Sequence, residues 1–226
     1  MNPFLQQTSA ILYKDLLTEV RSKERLSSMV FFSLLVLVTF SFAMTPGSMA
    51  MISGSAGIYW VAVIFSGFLG LTRSFSQEQI NDCMYGILLA PSDRGAIYLG
   101  KMLGNTITML LMQLFLLPLF AVLLNVPLLE ALPAILVPVL LGTIGFATIG
   151  TLFSAMSVNT RLKEAMLPML TLPIIVPMLL ASVESFRTIL EGGSLASTMA
   201  WIRIGAAFCG VFFVACMYLF EFLVEE

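Results

Sequence analysis

Histidine is missing altogether, and charge is scarce: 11 Lys and Arg and 13 Asp and Glu are spread over 226 residues. Without an imidazole the commonest acid–base group and the commonest nitrogen ligand for a metal are both lost. No Gly-x-Ser-x-Gly elbow occurs, and no pair of carboxylates lies in an apolar stretch that would split their pKa values. These gaps argue that the chain is not itself an enzyme. Of the 3 cysteines, Cys209 and Cys216 stand seven apart in an apolar run with no Cys-x-x-Cys or Cys/His cluster, so they read as packed free thiols and no metal site is expected. The bases are too few and too scattered to neutralise a phosphate backbone, which removes nucleic acid as a partner.

What is abundant is hydrocarbon. The chain is 59% hydrophobic, with 18 Phe and 15 Met and a mean hydropathy of +0.99, a composition whose solvent is mostly lipid. Six segments each supply the roughly 20 apolar residues that cross a bilayer as a helix. They run over about 26–45, 54–71, 102–124, 131–156, 165–183 and 201–220, and none has an acid or base near its middle. Intramembrane ionisable groups usually mark proton and ion paths, so their absence argues against an ion-coupled carrier. The N-terminus lacks a short apolar core followed by a small-residue cleavage site, and the mature chain is expected to begin at or near Met1.

Orientation follows from the bases on alternate sides of the spans. With the N-terminus inside, nine of the 11 bases (Lys14, Arg21, Lys23, Arg25, Arg73, Arg94, Lys101, Arg161 and Lys163) are cytoplasmic, against two, Arg187 and Arg203, outside. Both termini are therefore expected in the cytoplasm.

Residues 1–25 form a unit of their own ahead of the six-span domain at 26–226. Leu5, Ile11, Leu12, Leu16 and Val20 recur at helical intervals while Lys14, Asp15, Thr18 and Arg21 take the other side. That pattern predicts an amphipathic helix lying in the membrane surface, with packing on a partner as the alternative. Gly142, Gly145, Gly150, Ser154 and Ala155 in the fourth span offer close helix approach, and Pro168, Pro173 and Pro177 in the fifth predict a bent helix. The outward stretch 184–200 is expected to hold a short interfacial helix broken at Gly192 and Gly193.

The scarce charges gather in QEQINDCMYGILLAPSDRGAIYLGK, residues 77–101. Its GAIYLGK fits most of a phosphate-loop consensus, but Met102 stands where a Ser or Thr must hold magnesium, and the segment enters a membrane span instead of following a strand. Ile80, Met84, Ile87 and Leu88 repeat at helical spacing, with Glu78 and Asp82 one turn apart; Pro91 ends that helix, and Ser92 or Asp93 can cap the next. A merely solvated loop has no use for so many apolar side chains. The segment 74–95 is read as a handle that packs on the membrane or fits a groove on a soluble partner.

At this point a family suggests itself. Tyr59–Trp60, Arg73 with Phe75 and Glu78, Leu-Leu-Ala-Pro at 88–91, and the series Asp93, Arg94, Gly100, Lys101, together with the fifth span's LPMLTLPIIVPMLLA, resemble the CcmB family of haem exporter protein B permeases across nearly the whole chain. The resemblance implies an all-α polytopic membrane protein, the dimeric permease subunit of an ABC-2 type exporter in the bacterial inner membrane. It further implies an ATPase subunit, CcmA, that binds ATP and magnesium; a haem-handling membrane protein, CcmC; a small subunit, CcmD; and a haem chaperone, CcmE. On that reading Arg73, Phe75, Glu78, Asp82, Pro91, Asp93, Arg94 and Lys101 face the ATPase, aided by Arg161, Lys163 and Glu164 of the second cytoplasmic loop, and haem is handled by the complex and not bound by this chain. The same architecture would serve a permease for a lipid-linked glycan or a drug, or a non-transporting scaffold, because fold alone does not fix function.

Overall fold

The computed structural model describes residues 3–45, 47–80, 93–126, 128–157 and 163–223, with backbone alone at 75–80, 129–130 and 163–165. Among them are seven helices and no strand: α1 Pro3–Ser22, α2 Glu24–Ala43, α3 Met49–Ile80, α4 Arg94–Leu124, α5 Leu128–Ser157, α6 Lys163–Leu190 and α7 Met199–Leu223. The last six are each long and apolar enough to cross a bilayer, making this a multi-pass membrane protein.

The helices outrun the apolar runs that announce them. A bilayer needs about 30 Å of helix, whereas the 32 residues of α3 rise about 48 Å, so its final turns extend beyond the hydrocarbon. At α4 the helix starts eight residues before the apolar run, because Asp93 caps it by accepting from the Gly95 N–H at 2.9 Å. The separate interfacial helix expected within 184–200 is not formed. Its first half is the end of α6, which runs to Leu190, and the chain then turns at Gly192 with φ 90°, a conformation open to glycine. The prolines of α6 sit inside one continuous helix.

Burial sorts the bundle. Within the spans of α3 and α5, 61% and 56% of residues are buried against 17% for α2 and for α7, so α3 and α5 are central while α2 and α7 lie at the edges facing lipid. Between them α4 packs on α1, α2, α3, α5 and α7. The small residues of α5 do what their spacing suggests. A Cβ on Gly142 would collide with Cη2 of Trp60 and one on Gly150 with Cδ1 of Leu71, and the Ser154 hydroxyl donates to the Leu71 carbonyl at 2.9 Å.

A chain of paired polar groups crosses the middle of the bundle, where the solvent offers no hydrogen bonds of its own. Tyr59 O–H donates to Gln113 Oε1 at 2.8 Å, and Gln113 Nε2 donates to Thr143 Oγ1 at 2.7 Å, joining α3, α4 and α5. The Tyr59 ring stacks on Phe186 at 4.8 Å and meets Phe120 edge-on at 5.4 Å, which ties α6 to the same centre.

Candidate functional site

The end of the bundle that carries α1 gathers the charges. Here α1 does not divide into one apolar and one polar face. Thr8 and Glu19 are buried and Ile11, Leu12, Asp15 and Leu16 half-buried, whereas Leu5, Tyr13, Leu17 and Val20 are exposed. Asp15, expected on the polar side, and Glu19, one turn on, therefore point into the protein. The reason lies in what they meet: two cations at the ends of spans, Arg25 and Lys101, cost too much to bury alone.

Glu19 makes the first pair. Its Oε2 lies 3.0 Å from Arg25 Nε, with the side chains 10% and 7% exposed. This needs an abrupt turn between α1 and α2, supplied by Lys23 at φ 54°, a left-handed conformation that costs a non-glycine residue about 1–2 kcal/mol. Lys23 offers no side-chain cap to α2. Instead Glu19 Oε1 accepts from the Leu26 N–H at 2.8 Å, so one carboxylate both caps the second helix and neutralises its arginine. The Arg25 guanidinium continues inward, donating from Nη1 to Asn105 Oδ1 at 3.0 Å and from Nη2 to Thr108 Oγ1; Asn105 Nδ2 passes the chain to Thr151 Oγ1 at 2.9 Å. A cavity of about 10 Å³, about one water's worth of space, lies beside this arginine, lined also by Met29, Gly67 and Gly70.

Asp15 makes the second pair. Its Oδ2 is 3.0 Å from Nζ of Lys101, which is only 2% exposed, and its Oδ1 is 3.2 Å from Nζ of Lys14. The pair fits because α1 crosses α4 over glycines. A Cβ on Gly100 would stand 2.9 Å from the Cβ of Ile11 and 3.1 Å from the Thr8 carbonyl, and one on Gly104 would touch Asp15. The Gly-Lys of GAIYLGK is thus a seat for α1 and a counter-charge for Asp15.

The remaining candidates fall around this junction. Gln7 of α1 accepts from the Asp93 N–H at 3.0 Å, and Arg94 Nη1 donates to the Glu221 carbonyl at 3.3 Å, fastening the start of α4 to both α1 and the end of α7. Arg73 is exposed and donates to the Glu24 carbonyl at 3.3 Å. Lys101, expected to face a partner, is instead enclosed between α1 and α4, where it holds an acid and offers no surface. Phe75, Glu78, Lys163 and Glu164 are helical, with only their backbone described, and Asp82, Pro91 and Arg161 lie outside the described residues. Reasoning from sequence missed Glu19, Arg25, Asn105 and Thr151. The usable signal was two acids one turn apart at 15 and 19 opposite glycines one turn apart at 100 and 104. Among the described residues, no three His, Cys, Asp or Glu side chains gather to hold a metal ion.

Comparison with known proteins gives sequence matches over most of the chain. The chain is similar to the Heme exporter protein B of Rhodobacter capsulatus, 30% identical over 196 residues that cover 85% of this chain and 88% of that protein. The Pseudomonas aeruginosa Heme exporter protein B is 27% identical over 182 residues, 80% and 81% of the two chains, and that of Haemophilus influenzae 25% identical over 209 residues, 91% and 94%. The family model described as CcmB protein matches residues 6–222, from α1 to the last turn of α7. This chain belongs to the CcmB family.

Proposed function

We propose that the chain is the permease subunit of an ABC transporter for cytochrome c maturation, which transmits nucleotide-driven movement of a partner ATPase across the membrane to the release of a haem-loaded chaperone. Membership of a family whose relatives are named Heme exporter protein B supports the haem-related role. The observation that carries the mechanical part is the fastening of α1 to the first turns of α4. The buried Asp15–Lys101 pair, the glycine crossing and the Gln7–Asp93 hydrogen bond join α1 to α4, which opens directly after the longest stretch between spans, and the Glu19–Arg25 pair ties α1 to α2. Force applied to residues 74–95 is thereby delivered to α4, the helix packed on α1, α2, α3, α5 and α7.

Haem itself stays with the partners on this reading. The chain has no histidine, and its buried methionines, such as Met29, Met109, Met112 and Met178, are enclosed in the apolar core. The nine-to-two distribution of bases supports cytoplasmic termini and an ATPase docked on the side that carries α1. A homodimer working with CcmA, CcmC, CcmD and CcmE completes the proposal.

The test is to isolate the chain with its candidate ATPase and haem-handling partners and to follow nucleotide-stimulated chaperone release, ATPase rate and haem absorbance. Asp93→Asn with Arg94→Gln removes both charges while leaving the α4 cap an acceptor. At least a tenfold loss of release with the ATPase still bound is expected. Undiminished release, or haem bound to this subunit alone, overturns the proposal.

A further inference from the structure

The fold sorts the charges around α1 by sign. Asp15 and Glu19 turn inward to Lys101 and Arg25, and what remains outward at the corner between α1 and α2 is mostly cationic: Arg21 and Lys23 are exposed, and so is Arg73, which reaches that corner by donating to the Glu24 carbonyl at 3.3 Å. The one acid exposed among them is Glu24 itself.

Directly before these cations α1 shows an apolar stripe outward, three or four residues apart: Tyr13 is 69% exposed, Leu17 36% and Val20 68%. Apolar groups of that size facing water would be costly, whereas a membrane interface accommodates an apolar stripe with cations beside it. Sited at the end of apolar spans, the corner lies at headgroup depth. A soluble acidic partner would answer the charges but not the stripe.

We infer that the α1–α2 corner is a binding site for an anionic phospholipid, whose phosphodiester is held by Arg21, Lys23 and Arg73 and whose acyl chains run along Tyr13, Leu17 and Val20. The inference rests on this charge and apolar pattern and is independent of the transport reading.

The full chain, purified in a neutral detergent, is titrated with phosphatidylglycerol and with phosphatidylcholine, and bound lipid is read by native mass spectrometry. The unaltered chain should prefer phosphatidylglycerol. Each cation near an anionic headgroup contributes about fivefold, so Arg21→Gln/Lys23→Gln/Arg73→Gln should lower that preference by about a hundredfold. Should the triple variant lose helicity, Arg21→Gln/Lys23→Gln alone should lower it about 25-fold. Arg187→Gln/Arg203→Gln, at the other end of the bundle, should leave it unchanged. The inference is overturned if neutralising the corner preserves the preference, if the distant pair removes it, if millimolar inorganic phosphate displaces the lipid, or if the corner variants lose only an acidic protein partner.

Discussion

Glu19→Gln isolates one charge in the junction without removing its hydrogen-bonding atom. The amide oxygen can still accept from the Leu26 N–H, now 2.8 Å from Oε1, so the cap of α2 survives. What disappears is the negative charge 3.0 Å from Arg25 Nε, leaving a guanidinium in a residue only 6% exposed. Removing one partner of a buried pair costs about 3–5 kcal/mol, and the position near the bundle's end favours the lower figure, about 3 kcal/mol. Glu19→Ala loses the cap as well and should cost about 1 kcal/mol more.

Arg25→Met strands the carboxylate and takes the donor from Asn105 Oδ1, 3.0 Å from Nη1 in the unaltered protein. In Glu19→Met/Arg25→Met neither charge remains, and Asn105 keeps its 2.9 Å bond to Thr151, so the residual cost is about 2–3 kcal/mol, from the unsatisfied carbonyl and the lost cap of α2. The double variant should thus be more stable than either single one, with a coupling of at least about 2 kcal/mol. Unfolding by sodium dodecyl sulfate in mixed micelles measures this, followed in a Trp201→Phe background through the emission of Trp60, which is 2% exposed in the core. A Glu19→Gln cost below about 1 kcal/mol, or single-variant costs that simply add, would show that the pair is not what holds α1, and the lever from Asp93 into the bundle would lose its basis.

Gly100→Val tests the seat under α1. Its Cβ would lie 2.9 Å from the Cβ of Ile11, for an overpacking cost of about 1–3 kcal/mol, whereas Gly54→Ala, with nothing within 4 Å of the new Cβ, should be neutral or gain up to about 1 kcal/mol of helix propensity in the same titration. Gln113→Leu leaves the Tyr59 hydroxyl and Thr143 without their partner at the bundle centre, and a loss of about 1–3 kcal/mol with a shifted Trp60 emission is expected; an unchanged midpoint would refute the pairing.

The spans were legible because about 20 apolar residues in a row have few other uses, and the helical punctuation at Asp93 was legible because a short acidic side chain after Pro91 is a local signal. The junction was not. Its members come from residues 15, 19, 25, 101, 105 and 151, and nothing local in the sequence pairs an acid at 19 with an asparagine at 105 through an arginine at 25. Helical periodicity went astray at α1 for a physical reason. The rule that apolar faces turn inward presumes water outside, but beside lipid the outward face can be apolar as well, which frees the inward face for acids wherever the bundle offers cations.

The same physics accounts for the false phosphate loop. A nucleotide site needs glycines so that backbone can approach a phosphate, and a lysine to answer its charge. The crossing of α1 over α4 needs glycine so that one helix backbone can approach another, and Lys101 to answer the carboxylate of Asp15 at 3.0 Å. An anion carried on a helix makes the same two demands as an anion on a nucleotide. What separates them is the third requirement, a hydroxyl for magnesium, and where that would stand the chain has Met102, 4% exposed and packed against α5 and α7 with Ile97, Ile149 and Phe220. The discriminating residue in GAIYLGKM is therefore the apolar one, and the charge that looked catalytic serves to hold a helix in place.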